Sequence, residues 1–196
     1  MRSSFSVANP VGCKATMHRS ALVLLIASFG GLTEMTQAET LALTSAAFAS
    51  GGAIPSKYTC EGTGVSPPLS WHGVPSRTKS LVLIEDDPDA PDPAAPRTVW
   101  VHWLLYDIPP TSQGLPEGVS HAALPAGTRE GRNDWQRTGY GGPCPPVGRH
   151  RYVHKLYALD VVLGDLAMPD KRALVAAMRG HVIAQAELVG TYQKQH

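Results

Sequence analysis

Three short segments of the chain concentrate the side chains that could carry out chemistry. The first places three carboxylates within four positions, Asp86, Asp87 and Asp89, around the rigid Pro88. Like charges this close repel one another, so the segment needs hydrogen-bond donors or a cation nearby. Such carboxylates can orient an imidazole, accept a hydrogen bond from an amine, or act as an acid and base. Taken alone, the segment also fits a solvated acidic loop.

The other two segments add imidazoles and a rigid wall. His102 lies in the apolar run Trp100–Trp103, where a single histidine is more often a buried core residue than a ligand. The stretch 139–148 combines glycines, which allow a ligand to approach the backbone, with prolines, which stiffen it, and it leads into His150 and Tyr152. Together the segments predict a small pocket that tolerates an anion. Protonated histidines and tyrosine hydroxyls would donate to phosphate oxygens there.

The elements that must hold these residues are mostly strands. Apolar runs, continuous or alternating, predict strands at 41–48, 69–71, 80–84, 98–108, 150–163 and 183–193. One helix is predicted after Asp170, which can cap its first turn, and Gly180 can end it. We therefore expect a mostly β domain with a minor helical component.

Strict alternation assigns faces to two of these strands. It puts four side chains of strand 98–108 on one face: Trp100, His102, Leu104 and Tyr106. In strand 150–163 the residues His150, Tyr152 and His154 share a face. These faces would bring His102 towards His150 and Tyr152.

Residues 1–38 have the pattern of a cleaved signal peptide. A short basic stretch at 17–19 precedes an apolar run at 21–32, and small or polar residues lead up to Ala38. The run is too short to cross a bilayer of about 30 Å comfortably, which favours cleavage over a membrane anchor. Met17 is an alternative start. We expect the mature chain, 39–196, to form one domain without a transmembrane segment, in the periplasm or outside a bacterial cell.

Charge and cysteine usage narrow the class of protein further. The whole chain has a formal net charge of +1, which removes the bulk electrostatic argument for a nucleic-acid partner. Cleavage would remove Cys13 and leave Cys60 and Cys144. In an oxidising compartment this pair favours a disulfide, with two buried thiols as the alternative.

Six motifs in order carry a family resemblance. They are SPPLSW at 66–71, DPDAP at 87–91, WVHW at 100–103, GYGGPCPP at 139–146, HRY at 150–152 and AELVGTY at 186–192. In these motifs the sequence resembles the phosphatidylethanolamine-binding protein family, which includes the Raf kinase inhibitor proteins, and specifically its bacterial YbhB/YbcL-type branch. Because several ordered motifs coincide, the resemblance is specific and covers nearly all of the mature chain.

The resemblance implies a fold, a ligand class and a set of site residues. The fold is a large antiparallel sheet packed on a smaller sheet with few short helices, and the function is binding of phosphate or a phospholipid headgroup such as phosphorylethanolamine. No enzymatic activity, cofactor or metal is implied. The pocket residues carried over by position are Asp87, Asp89, Pro91, Trp100, His102, Tyr140, Gly142, Pro145, Pro146, His150 and Tyr152.

Other interpretations stay open at this point. A homodimer is common among bacterial relatives, and modulation of a kinase or protease by an undefined surface is a further hypothesis. An acid/base or metal-dependent hydrolase could use Asp87, Asp89, His102 and His150, but the sequence has no Gly-x-Ser-x-Gly motif for a nucleophile.

Overall fold

Antiparallel strands make up most of the structure, a computed structural model that describes residues 40–195. The strands are β1 (Ala42–Thr44), β2 (Leu69–His72), β3 (Ser80–Asp87), β4 (Trp100–Ile108), β5 (Gly114–Leu115), β6 (Arg129–Glu130), β7 (Arg149–Leu159) and β8 (Val182–Gln193). One α-helix, α1, spans Lys171–Met178, and short 3-10 turns lie at Ser56–Tyr58 and His121–Ala123. The mostly β fold with few helices is thus confirmed.

The strands form two sheets. The larger has the order β6-β4-β3-β7-β8 and the smaller the order β1-β2-β5, with every neighbouring pair antiparallel. Side chains of both sheets meet in one core, to which the small sheet gives Leu43, Leu69 and Trp71 and the large sheet gives Leu83 and Trp103 among others. The predicted packing of a large sheet on a smaller one is therefore confirmed.

The central strand of the large sheet, β3, is buried on both faces. The second face of the sheet carries a separate core in which Val82, Ile84 and Leu104 pack against Leu174 and Met178 of α1. All eight residues of β3 are consequently buried, including the acidic ones at its end. This explains why residues 81–84 of β3 form a continuous apolar run rather than an alternating one.

Helix α1 begins where its sequence predicts. The Asp170 carboxylate accepts a hydrogen bond from the Ala173 N–H at 2.8 Å and so satisfies one of the free N–H groups of the first turn. The helix ends at Met178, and Gly180 follows with a positive φ of 83°. The cap and the end together fix a two-turn helix over the second core.

The predicted alternation of β4 is wrong at one point. Val101 and Leu104 lie in the same core, although strict period-two spacing places them on opposite faces. The pairing of β3 with β4 shifts register between Glu85 and Asp86, which is a β-bulge. Because of this bulge, His102 does not share the face of Leu104 as predicted.

Two predicted strands are shorter in the structure, and the predictions for residues 1–38 are not tested. The first strand is shorter than predicted, ending at Thr44, and the strand predicted at 150–163 ends at Leu159. The signal peptide, its cleavage after Ala38 and the Met17 start lie outside the described residues and stay predictions. Among residues 40–195, no helix is long and apolar enough to span a bilayer.

Candidate functional site

A cavity of about 370 Å³ lies where three strands of the large sheet come to an edge. Asp87 is the last residue of β3, Trp100 the first of β4 and His150 the second of β7. Because the strands are antiparallel, these ends meet. The lining consists of Asp87, Ala90, Pro91, Trp100, His102, Trp135, Cys144, Pro145, Pro146, His150 and Tyr152.

Asp87 and His150 bind each other at the base of the cavity. The His150 Nδ1 donates to the Asp87 carboxylate at 2.6 Å, and its Nε2 lies 2.9 Å from the Val147 carbonyl oxygen. Both ring nitrogens therefore lie within hydrogen-bond distance of oxygen atoms of the protein. The sequence predicted that His150 donates to a ligand, but in this structure the protein itself occupies both of its ring nitrogens.

His102 keeps one nitrogen free. The ring is 2% exposed, and its Nδ1 lies 2.6 Å from the Gly141 carbonyl oxygen, so Nδ1 carries the proton. Burial lowers the pKa of His102, against the opposing effects of the Gly141 hydrogen bond and of Asp87. The neutral ring therefore presents Nε2, which has no hydrogen-bond partner among the described residues, as an acceptor at the cavity.

Tyr152 brings an unused hydroxyl to the same place. Its side chain is fully buried, it lines the cavity, and its hydroxyl has no hydrogen-bond partner among residues 40–195. The ring packs edge-on against His102 with centroids 5.1 Å apart. Burial, reinforced by the nearby Asp87, raises the pKa of Tyr152, so the hydroxyl keeps its proton and stays a donor. An unpaired buried donor of this kind is rare and marks a place for a ligand or water.

The wall of the cavity is apolar and aromatic. Trp135 packs edge-on against Trp100, with centroids 5.4 Å apart, and against His102 at 5.0 Å. Its ring lies over Gly141, where any Cβ would overlap it. Sequence reasoning missed Trp135, because a single tryptophan in a loop gives no periodic signal. The Gly-Gly pair at 141–142 was the available hint that something packs there.

Three predicted site residues do not line the cavity. The Asp89 carboxylate instead accepts from the Arg151 Nε at 3.0 Å and from another guanidinium nitrogen at 2.7 Å, and these hydrogen bonds lower its pKa. The Tyr140 hydroxyl donates to the Tyr58 carbonyl oxygen at 2.8 Å. A Cβ at Gly142 would lie 2.7 Å from that same oxygen. These residues hold the surrounding segments together without contacting the cavity.

The two cysteines tie one wall of the cavity to a neighbouring segment. Cys60 and Cys144 are joined by a disulfide, with Cα atoms 5.4 Å apart, and the Cys60 N–H donates to the Pro143 carbonyl oxygen at 3.0 Å. Proline occupies positions 143, 145 and 146, so Cys144 supplies the one N–H of that stretch. No partner for this N–H is found within the described part of the chain. It is a third unused hydrogen-bonding group beside Tyr152 and His102.

A second buried polar pair lies on the strands behind the cavity. Glu85 and His154 are directly opposite each other on β3 and β7, with the His154 Nε2 3.4 Å from a Glu85 oxygen. Both side chains are fully buried, and neither makes a hydrogen bond of normal length to a described residue. That separation is within ion-pair range, but burial raises the pKa of Glu85 and lowers that of His154 to about 4. We therefore take both groups as neutral.

The arrangement is suited to holding a ligand through hydrogen bonds. The residues that line the cavity include Tyr152 with an unpaired hydroxyl, Cys144 with an unpaired N–H and His102 with an unpaired Nε2, beside the hydrogen-bonded Asp87 and His150. Among residues 40–195, no group of three or more His, Cys, Asp or Glu side chains is positioned to hold a metal ion. The Cys144 sulfur is bonded to Cys60 and so supplies no free thiolate.

Comparisons with known proteins agree with this architecture. Residues 44–193 match the family model described as phosphatidylethanolamine-binding protein. The chain is 51% identical over 153 residues to a protein of Methanothermobacter thermautotrophicus named UPF0098 protein, covering 78% of this chain and 98% of that one. A Chlamydia trachomatis protein of the same name is 48% identical over 152 residues, with the same coverage of both chains.

Two solved structures are similar along their whole length. One is a putative phosphatidylethanolamine-binding protein homolog from Chlamydia trachomatis, with a TM-score of 0.73 and 46% identity, covering 80% of this chain and 99% of that chain. The other is Escherichia coli YbcL, described as a member of the mammalian family, with a TM-score of 0.72 and 31% identity, covering 80% and 100%.

Proposed function

We propose, because the chain belongs to the phosphatidylethanolamine-binding protein family, that its cavity binds the phosphate of a small molecule or a phospholipid headgroup such as phosphorylethanolamine. The protein would act as an exported binding protein, in the periplasm or outside the cell. Two features favour export: the signal-peptide pattern of residues 1–38 and the disulfide, a bond typical of oxidising compartments.

One observation carries the choice of ligand: Tyr152 lines the cavity, and its fully buried hydroxyl has no hydrogen-bond partner among the described residues. A phosphate oxygen would accept from this hydroxyl and from the Cys144 N–H. A protonated phosphate would donate to the His102 Nε2, or a dianion would favour the protonated ring. The Asp87 carboxylate, which also lines the cavity, is suited to a ligand ammonium or hydroxyl group.

The test is titration calorimetry with phosphorylethanolamine on the wild type and on Tyr152→Phe. This substitution removes one hydroxyl from a buried site. A hydrogen bond to a charged group contributes about 1.5 to 3 kcal/mol, so we expect affinity to fall by about 10- to 150-fold. Because the hydroxyl has no partner in the free protein, the free energy of unfolding should not decrease.

The control is Tyr157→Phe on the same strand. Tyr157 packs against the second core on the other face of the large sheet, so its hydroxyl does not reach the cavity. We expect this variant to bind phosphorylethanolamine within twofold of the wild type. If Tyr152→Phe also binds within twofold, or if the wild type gives no heat at millimolar ligand, the proposal is wrong.

The hydrolase alternative has no comparable support. Most of the groups on which it depends are held by other residues: Asp87 by His150, Asp89 by Arg151, and the His102 Nδ1 by Gly141. Modulation of a kinase or protease stays a hypothesis from the resemblance, since no feature of the site argues for it.

A further inference from the structure

A second concave surface lies between helix α1 and the start of β4. It is a groove of about 550 Å³, lined by residues of α1 and by Thr98, Val99 and Val101. None of its lining residues also lines the ligand cavity. The proposed function therefore leaves this surface, which we call the helix groove, without a role.

The helix groove and the ligand cavity are built on the same two segments. Trp100 and Trp135 line the cavity, whereas their chain neighbours Val101 and Asp134 line the groove. Two hydrogen bonds join these segments. The Val101 N–H donates to the Asp134 carboxylate at 2.7 Å, and the Asp134 N–H donates to the Val101 carbonyl oxygen at 3.1 Å. This side of the groove is therefore held in place, and a partner can occupy it without filling the cavity.

Two large apolar side chains are exposed in the helix groove. Val99 is 44% exposed, and Val175 of α1 is 43% exposed. The neighbouring Val101, in contrast, is buried in the second core together with Leu174 of α1. The groove thus extends the second core to the surface, where an apolar side chain of a partner would be removed from water.

Two arginines of the helix groove have no ion pair among the described residues. Arg172 lies in α1, and Arg179 follows its last residue. Positions i and i+7 lie on one face of a helix, roughly 10 Å apart along its axis. Lys171, the third cation of the groove, is already bound to the buried Asp86 carboxylate. The two arginines are therefore available to carboxylates of a partner.

The two carboxylates of the helix groove each have one unused oxygen. Asp134 accepts from the Val101 N–H through Oδ2, and Asp170 accepts from the Ala173 N–H through Oδ1. Within residues 40–195, the second oxygen of each has no hydrogen-bond partner, and neither carboxylate forms an ion pair with the two arginines. A polypeptide offers both kinds of partner: side-chain carboxylates for the arginines and backbone N–H groups for the unused oxygens.

We propose that the helix groove binds an extended acidic peptide of another protein. Two peptide carboxylates, three residues apart, would bind Arg172 and Arg179, and an apolar residue between them would pack on Val175. In the polyproline II conformation, positions i and i+3 point the same way and lie about 9 Å apart, close to the spacing of the arginines. A flat bilayer does not enter a groove, and the groove carboxylates would repel a continuous row of nucleic-acid phosphates.

Fluorescence anisotropy with a labelled peptide tests the proposal. The probe is fluorescein-labelled Gly-Glu-Leu-Pro-Glu-Gly, and the control peptide has glutamine in place of both glutamates. A partly exposed ion pair changes affinity by about two- to fivefold, so Arg172→Gln/Arg179→Gln should bind the probe about 4- to 25-fold more weakly than the wild type. We expect the wild type to lose a similar factor on the glutamine peptide. The control variant Arg77→Gln/Lys79→Gln removes two exposed charges beside the start of β3 and should bind the probe like the wild type.

Three results of this experiment would overturn the proposal. They are no saturable binding of the probe at millimolar protein, equal losses in the groove and control variants, and displacement of the probe by phosphorylethanolamine, which would place the peptide in the ligand cavity. Sedimentation velocity tests the other occupant. A wild-type dimer that Arg172→Gln/Arg179→Gln dissociates would show that a second copy fills the groove, and it would also overturn the proposal. Because neither arginine lines the cavity, a failure of the proposed function leaves these outcomes unchanged.

Discussion

His154 should make this protein sensitive to acid. Its ring is fully buried beside Glu85 and Phe48, and burial lowers its pKa from the usual 6.5 to about 4. Between pH 6.5 and 4 the His154 ring therefore binds a proton in the unfolded chain but not in the folded chain. The stabilisation from keeping the ring neutral is complete above pH 6.5 and is lost as pH falls to 4.

The magnitude follows from these two values. The difference between 6.5 and about 4, at about 1.36 kcal/mol for each pH unit, amounts to about 3 kcal/mol. The variant His154→Phe puts an apolar ring of similar shape at the position and cannot titrate. Any packing difference in the variant is the same at every pH. We therefore expect its free energy of unfolding, relative to wild type, to rise by about 3 kcal/mol between pH 7.5 and pH 4.

Urea denaturation at a series of pH values measures this difference. Glu85 is protonated on folding in both proteins, because burial raises its pKa, so its contribution cancels to first order. The control His72→Phe removes an imidazole that is exposed on β2, and its difference from wild type should stay constant within about 0.5 kcal/mol over the same range. Parallel stability curves for wild type and His154→Phe would refute the reasoning.

Three further predictions concern the cavity. Replacing Cys60 and Cys144 by serine should lower the free energy of unfolding by about 2 to 5 kcal/mol in urea denaturation, since the disulfide closes a long loop; no change on reduction of the wild type would contradict this. Phosphorylethanolamine affinity should rise as pH falls, because burial lowers the pKa of His102 and a bound phosphate would favour its protonated form; a pH profile unchanged in His102→Gln would contradict it. Gly141→Ala should displace Trp135, seen as altered near-ultraviolet circular dichroism, and a wild-type spectrum would contradict the close packing.

Local sequence signals predicted the elements that depend on local chemistry. The buried run of β3, the alternation of β8 and the Asp170 cap of α1 are each encoded within a few residues, and the structure confirms them. The two-residue strands β5 and β6 were missed, because their pairing depends on neighbours distant in sequence. The β-bulge beside His102 was missed for the same reason, since only the partner strand shows where the register shifts.

The same holds for the site: the sequence predicts the types of residue that form it, but the contacts of each residue depend on tertiary structure. Asp87 and Asp89 are equivalent by sequence, yet only Asp87 lines the cavity. The cause lies on β7, where consecutive residues point to opposite faces: His150 reaches Asp87 and Arg151 reaches Asp89. No pattern within either segment alone carries that pairing. The sequence could therefore identify these residues as site candidates, but it could not show which of them line the cavity and which hold the surrounding segments in place.

The charge balance of the cavity bears on which ligand it can hold. Asp87 is hydrogen-bonded to His150, and no lysine or arginine lines the cavity, so the lining offers a phosphate dianion little positive charge. What remains is a hydroxyl, one backbone N–H and one imidazole nitrogen, which fix orientation more than they supply affinity. A ligand that also carries an ammonium group, such as phosphorylethanolamine, would add a contact to the Asp87 carboxylate that free phosphate lacks.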